Sequence, residues 1–309
     1  MNNNSQLIKN AITSSGTLQG TGKGGYLSPE QAKKFISYMV DNTAILKDTR
    51  MEQMKAPDKT LDFMLIGSRL IRKATEGAAP NDVTGIDTKR KELRSVKVRL
   101  AADITQEFLE DNIEGEDAAD RIARELAQQF GNDLADLMFN GDTAATGNDA
   151  EFLTIGDGVI KQAKASTATH KFSTKDKTGY KDVILPGMLS LMPSKFKRDR
   201  NNLRFYCSPT VADEYIKELA QRVSELGDKI LMGGELIKFL GIQIFPVEYI
   251  PDGVVILTNR LNLVSGVQRD MKVYSQFNQR KDQTEYTMYM RVDPGKIVWD
   301  DALVIAYAF

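Results

Sequence analysis

The run EDAADRIARELAQQFGNDLADLMFNGD constrains the fold more than any other part of this sequence. In it Ala119, Ile122, Leu126, Phe130, Leu134 and Leu137 recur at steps of three and four, while Asp, Glu, Arg and Gln take most of the remaining positions. That spacing lays one apolar stripe along about five turns of α-helix and leaves the other side charged. At 1.5 Å per residue such a helix runs roughly 35 Å, the width of a domain. Gly141 is placed to end it. A helix this long with a single apolar side predicts a spine against which other elements pack.

The chain around it is long enough to bury a core. Its 309 residues are 41% hydrophobic and 27% charged, which fits one large or two modest domains. Lys and Arg number 41 against 42 Asp and Glu, so the net charge of -1 draws it globally to neither nucleic acid nor anionic lipid. Any electrostatic role must be local. The one cysteine, Cys207, has no partner for an internal disulfide, as suits folding in a reducing cytoplasm. The N-terminal stretch lacks the apolar segment of a signal peptide, and no uncharged apolar run approaches the roughly 20 residues of a membrane helix. A soluble protein with no membrane partner is expected. With one histidine, His170, and one cysteine, a zinc site built from His and Cys is excluded, and most nucleophilic hydrolase mechanisms fall with it.

Residues Met1 to Gly25 are rich in Asn, Ser, Thr and Gly and read as a flexible arm. Ser28 as N-cap, Pro29 at the first helical position and Gln31 at the third open a helix, with Phe35, Met39 and Ile45 for its buried side. From Leu61 to Ile104 two strand-like arms flank a tip marked by Gly77, Pro80, Asn81, Asp82 and Gly85, which predicts a long hairpin. In its second arm Val96, Val98, Leu100, Ala102 and Ile104 alternate with polar or small residues, the period of a half-buried strand. Further on, LRFYCSP reads as a buried strand, and Val211, Tyr215 and Leu219 give the next stretch one apolar helix face. IQIFPVEYIPDG, VVILTN, MKVYSQF, EYTMYMRVD and ALVIAYAF are strand candidates, the fourth placing Tyr286, Met288, Met290 and Val292 on one side.

Two segments carry a family resemblance. The run ADITQEFLEDNIEGEDAADRIARELAQQFGNDLADLMFNGD resembles the spine-helix region of tailed-bacteriophage major capsid proteins of the Hong Kong 97 type, in which a long helix ends in a Gly-Asp pair; Asn140, Gly141 and Asp142 sit there. From Arg204 onward, FYCSPTVADEYIKEL, GGELIKFLGIQIFPVEYIPDG and VVILTNRLNLVSGVQRDMKVYSQ look like the family's axial domain returning to its peripheral domain. The resemblance covers almost the whole chain and implies an α+β fold with six parts. These are an N-terminal arm (1–27), an N-terminal helix and lead-in (28–60), an extended hairpin (61–104), the spine helix of the peripheral domain (105–150), an axial domain (151–260) and terminal peripheral strands (261–309). It further implies a non-enzymatic subunit without cofactor, assembling in the host bacterial cytoplasm into hexamers and pentamers of a virion. Its partners would be scaffold and portal proteins and weakly held packaged DNA. Some relatives crosslink a hairpin Lys to a distant Asn; Lys73, Lys89 and Lys91 are available here, with no motif that marks a reactive pair. An encapsulin nanocompartment enclosing cargo enzymes shares the fold and is the alternative. A hydrolase or nucleic-acid-binding protein with an unfamiliar carboxylate site is a more distant one.

Charge supplies a separate reason to expect assembly. From Arg69 to Arg99 nine basic residues oppose four acidic, giving +5, whereas Asp103 to Asp149 holds thirteen acidic against two basic, giving -11. The hairpin of one subunit lying across a neighbour's spine region would join these, which makes Arg69, Arg72, Lys73, Lys89, Arg90 and Lys91 contact candidates opposite Glu114, Glu116, Asp117 and Asp120. Two solvated faces are the plainer alternative. Lys195, Lys197, Arg198, Arg200 and Arg204 read as a solvated helix end rather than a DNA contact, and His170 as an exposed loop residue. Thr21 to Gly25 lacks the spacing of a phosphate loop, and Cys207 reads as a small buried hydrophobe.

Overall fold

Pro29 opens the first helix, where its fixed φ suits the helical turn and its missing N–H costs no hydrogen bond. A computed structural model describes residues 25–26, 29–65, 87–105, 118–175, 177–220, 237–268 and 272–309. In chain order its elements begin with β1 (Gly25–Tyr26), α1 (Pro29–Asn42), α2 (Ala44–Asp48), β2 (Arg50–Met54), β3 (Asp58–Leu65), β4 (Asp87–Arg94), β5 (Val96–Thr105) and α3 (Ala118–Asn140). There follow α4 (Ala150–Leu153), α5 (Val159–Ala165), β6 (His170–Ser173), α6 (Leu185–Leu191), β7 (Leu203–Cys207), α7 (Pro209–Ala220), β8 (Lys238–Phe239) and β9 (Ile242–Pro246). The last are β10 (Val255–Asn259), β11 (Leu263–Gln268), β12 (Lys272–Asn278), β13 (Gln283–Ile297) and β14 (Leu303–Tyr307).

The spine helix is α3, 23 residues long and so about 34 Å from end to end. Phe130, Leu134 and Leu137 of the expected stripe are buried, joined by Ala127, Ala135, Met138 and Phe139. The side chains of Ala119 and Ile122 lie outside the described residues. α3 ends because Gly141 brings two backbones together. Its N–H donates to Leu137 O at 3.0 Å, its carbonyl accepts from Gly158 N–H at 2.7 Å, and a Cβ there would stand 2.2 Å from Gly156 O. Any side chain would push those segments apart.

Two six-stranded sheets sandwich much of the core. The first runs β1-β12-β13-β11-β2 with β5 also paired to β13; the second runs β6-β14-β10-β7-β9-β8. One core cluster spans both. It takes Ile36 and Met39 from α1, Leu134, Met138 and Phe139 from α3, Met290, Val292 and Ile297 from β13, and Tyr206, Ile256 and Ile305 from the second sheet. A second cluster packs α6 and α7 on the other side of that sheet through Met188, Val211, Tyr215, Phe205, Leu257 and Val304. Each such side chain withdrawn from water contributes about 1.5–3 kcal/mol.

Several expectations change in detail. The first helix stops at Asn42, so Ile45 is buried from the separate α2, and Ile36 fills the place beside Met39. The second arm of the hairpin is Asp87–Arg94, paired with β3 from Asp58↔Arg94 to Leu65↔Asp87. The alternating strand Val96–Thr105 belongs instead to the first sheet, antiparallel to β13 from Val96↔Val292 to Thr105↔Gln283. The expected terminal group 261–309 also divides: β11 to β13 lie in the first sheet, but β14 lies between β6 and β10 in the second. Its residues Leu303, Val304, Ile305 and Ala306 are all buried, because Leu303 and Ile305 face the main core cluster while Val304 and Ala306 face the second cluster on the other side of the sheet.

Candidate assembly interface

The pair β3–β4 belongs to neither large sheet, and its root is fixed by a small core of its own. Leu61 and Leu93 are buried with Met54, Val264 and Val298, and Phe63 and Trp299 pack against them. Polar contacts reinforce the root. Arg94 N–H donates to Asp293 Oδ2 at 2.8 Å, Ser95 donates twice to Pro57 O at 2.9 and 2.7 Å, and Lys91 pairs with Asp300 at 3.3 Å. Glu52 takes Arg50 at 2.5 Å and Lys59 at 2.6 Å; burial works to raise its carboxyl, yet these two cations hold it below its ordinary value. Away from the root the pair is open, with Met64 72% exposed.

Among the expected contact residues, Arg90 lies on β4 and pairs with Asp62 at 2.9 Å on an exposed surface, while Lys91 is held by Asp300 inside the subunit. Lys89 stands opposite Phe63 in the β3–β4 register. Asp120 lies in the first turn of α3. Arg69, Arg72, Lys73, Glu114, Glu116 and Asp117 lie outside the described residues, as do most of the arm and the tip of the hairpin. Of the arm, Gly25 and Tyr26 add β1 to the edge of the first sheet, opposite Val273 and Lys272.

Splitting the alternating strand from the hairpin also divides the basic charge. Lys97 and Arg99 stand on the outer face of the first sheet, where Lys97 is opposite Arg291 and Arg99 opposite Tyr289. Tyr289 is opposite Lys272 on its other side, and Thr287 opposite Tyr274. Lys97 Nζ lies 4.3 Å from the centre of the Tyr289 ring, which meets Tyr274 edge-on at 5.9 Å. Lys97, Lys272, Tyr274, Thr287 and Tyr289 line an open depression of about 420 Å³. The signal was present in the sequence, since the polar positions alternating with Val96, Val98 and Leu100 are Lys97 and Arg99. Arg291 and Tyr289 join them only through pairing with residues 194 and 190 positions away, Lys97 with Arg291 and Arg99 with Tyr289, and Tyr274 follows through its pairing with Thr287.

The Asn-Gly-Asp end of the spine is a polar knot. Asn140 Nδ2 donates to Asp136 Oδ1 and to Tyr249 O, both at 2.6 Å, and Lys161 joins Asp142 and Asp157 at 2.6 Å each. Burial would raise the Asp157 carboxyl, but the Lys161 ammonium and the N–H and hydroxyl of Thr143 hold it down to about 2. Elsewhere the basic run 195–204 is not one surface. Lys195 pairs with Asp301 at 2.7 Å, and Arg200 Nη1 donates to Leu240 O at 3.0 Å. Arg204 is drawn inward by Asp48, whose carboxylate lies 3.5 Å from Arg204 Nε and 3.7 Å from Arg260 Nη1 and accepts from Tyr206 Oη at 2.9 Å. His170 is not in a loop but starts β6, half-buried and opposite Val304. Its four-residue strand exists because β14 offers an edge, which local composition does not reveal. Cys207 is buried, and burial pushes its thiol up to about 12, so it behaves as a hydrophobe and not a nucleophile.

Known proteins give the arrangement its context. Residues 24–307 match the phage capsid family. YqbE of Bacillus subtilis strain 168, which is named as a prophage capsid protein, is 28% identical over 288 residues, covering 87% of this chain and 88% of that one. A chain from the procapsid of satellite phage P4, solved with its size determination protein, superposes with a TM-score of 0.69 at 13% identity, over 99% of this chain and 98% of that one. A capsid chain of a native GTA particle superposes with a TM-score of 0.60 at 15% identity, over 87% and 91%. At these identities the superpositions speak for a shared fold, that of Hong Kong 97-type capsids.

Proposed function

The chain belongs to the phage capsid family, and from that premise we propose how its surfaces build a shell. It is a major capsid protein, the subunit of an icosahedral shell and so a part of the virion. Hexamers and pentamers form around the tips of the axial part, residues 151–260. The arm (1–27) and the hairpin between β3 and β4 reach neighbouring subunits, so that binding is spread over several interfaces, each modest alone. The hairpin carries Arg69, Arg72, Lys73, Lys89 and Arg90 towards a neighbour's Glu114, Glu116, Asp117 and Asp120. Lys91 anchors the hairpin instead of reaching out. Assembly takes place in the host cytoplasm with scaffold and portal proteins, the finished shell holds double-stranded DNA, and no catalysis is involved.

What supports this reading is a two-stranded element outside both sheets, with its own small core at the root and an exposed apolar side chain beyond it. A rigid root on an otherwise uncovered hairpin suits contact with another chain. The family match does not favour the nanocompartment alternative. Light scattering and electron microscopy of the expressed protein test the proposal. Capsomers or closed shells far above 34.5 kDa are expected, and a strictly monomeric protein at all concentrations and salts, with a scaffold supplied, would overturn it.

A further inference from the structure

The outer face of the first sheet sets like charges side by side, and of Lys97, Arg99 and Arg291 only Lys97 has an aromatic ring beneath it among the described residues. Lys97 and Arg291 are direct cross-strand neighbours and Arg99 is two residues along the same face, and like charges placed so repel. Arg99 and Arg291 are exposed and have no ion-pair partner among the described residues. Beneath them the same strands are anchored, since Met290 and Val292 are buried and Val98 and Met288 pack against the main core. The patch is therefore rigid, basic and floored by two tyrosines in edge contact.

The patch is also short. It spans three strands at about 4.8 Å spacing and two or three residues along each, so about 10 Å by 7 Å. Asp103 and Glu285, opposite each other, close it at one end with negative charge. A nucleic-acid duplex, a broad and continuous polyanion, would overrun that border. A short acidic peptide with apolar side chains would fit it. The chain contains one: residues 106–117, QEFLEDNIEGED, hold six acidic residues, no basic one, and Phe108, Leu109 and Ile113 between them. Within one subunit this run leaves β5 at Thr105, six residues or about 20 Å beyond Arg99. It leads to α3, which contributes to the core on the opposite face.

We propose that the outer face made by Lys97, Arg99, Arg291, Tyr274 and Tyr289 receives the acidic run 106–117 of a neighbouring copy, with Glu107, Glu110 and Asp111 over the cations and Phe108 or Leu109 over the tyrosines. This inference rests on the shell reading above and adds a second basic surface to it, because the +5 counted from Arg69 to Arg99 includes Lys97 and Arg99, which the hairpin does not carry. Charge matching across such a contact sets register and partner choice.

The test has two arms on the full-length chain. In the first, a labelled peptide of residues 106–117 is titrated onto the unassembled subunit in low salt. Binding should weaken at least about tenfold when Lys97, Arg99 and Arg291 are all replaced by Glu, or by Gln if the reversed set unfolds, and also in 1 M salt, where screening acts within about 3 Å. In the second, shell yield is measured for that triple variant, for Glu107→Lys with Glu110→Lys and Asp111→Lys, and for both sets together. Each set alone should cut the yield about tenfold or more and the combination should recover most of it. Peptide binding that ignores the three cations overturns the inference, whether or not shells form. So does unchanged shell yield in the triple variant, and so does a triple variant that assembles normally but no longer retains a short DNA duplex, since the occupant is then nucleic acid. A wild-type chain that never assembles overturns the shell reading alone, because the peptide arm still decides this contact.

Discussion

Replacing Asp48 by Ala should cost the subunit about 3–5 kcal/mol, because its carboxylate is the polar partner of a tyrosine of the main core and of a nearly buried arginine. The carboxylate ends α2 and reaches across to β7, where it takes Tyr206 Oη at 2.9 Å and faces Arg204 and Arg260 at 3.5 and 3.7 Å. Asp48 and Arg204 have side chains only 11% exposed, so solvent cannot replace what the mutation removes. One charged hydrogen bond is worth about 1.5–3 kcal/mol, and an Arg204 guanidinium left at that depth without a counter-charge, with only the Asn201 and Leu203 carbonyls to accept from it, supplies the rest. Burial and the nearby Asp48 already push the Tyr206 hydroxyl well above its ordinary range, so it stays a donor at every working pH. Asp48→Asn keeps an acceptor for it and should lose less than Asp48→Ala. Tyr206→Phe should lose about 1 kcal/mol, and adding Arg204→Met to Asp48→Ala should restore a good part of the deficit, because an apolar pair at a buried site replaces an orphaned charge. Urea unfolding of the unassembled subunit, followed by circular dichroism, gives all four values. A loss below about 1 kcal/mol for Asp48→Ala at unchanged m would refute the reasoning and make the cluster a surface ion pair.

Leu93→Ala should open a cavity in the hairpin's root and cost about 2–5 kcal/mol; the chain's single tryptophan, Trp299, packs there, so its fluorescence should change at lower urea than the circular dichroism does. Coincident transitions would mean that the root is part of the global core. Asp293 is buried, and burial raises its carboxyl against the pull of Lys296 and the Arg94 N–H. The folded state thus holds that proton more tightly than the unfolded one, so the stability tied to it is full below about 3.8 and fades as pH rises towards the folded value. Asp293→Asn should therefore stabilise the subunit at pH 7, with the gain closing in acid; a gain that does not vary with pH would contradict this. Lys89→Glu with Arg90→Glu should leave subunit melting within about 0.5 kcal/mol of wild type while lowering shell yield at low salt. Adding Lys91→Glu, which sets a carboxylate against Asp300, should lower the melting temperature as well, and equal melting in the two variants would contradict the internal role given to Lys91.

The sequence made elements legible and left their partners hidden. Periodicity placed the spine helix and the strand Val96–Thr105, because a stripe at 3.6 or an alternation at 2 is a local property. It could not say that this strand pairs with Gln283–Ile297 and not with the hairpin, since that choice depends on residues far away in the chain. One cue was available for β14. ALVIAYAF is apolar without alternation, the mark of a strand covered on both sides, whereas EYTMYMRV alternates as an exposed-face strand does. Arg204 looked like the end of a basic cluster because its counter-charge, Asp48, lies 156 residues earlier. Of the contact residues chosen by charge, Arg90 fits a surface role, whereas Lys91 is claimed by Asp300, a partner likewise distant in sequence.

The position of β14 has a consequence in time. The second sheet cannot close until Leu303–Tyr307 slide between β6 and β10, and β5 waits in the same way for Gln283–Ile297. On a ribosome adding about 5–20 residues per second, β5 emerges roughly ten seconds or more before its partner strand exists. For that interval its apolar side is bare, and the hairpin root lacks Val264, Val298 and Trp299. A nascent chain therefore lacks the strand between β6 and β10 until synthesis has passed residue 307. Long-range strand pairing of this sort makes completion of the subunit's fold a late event.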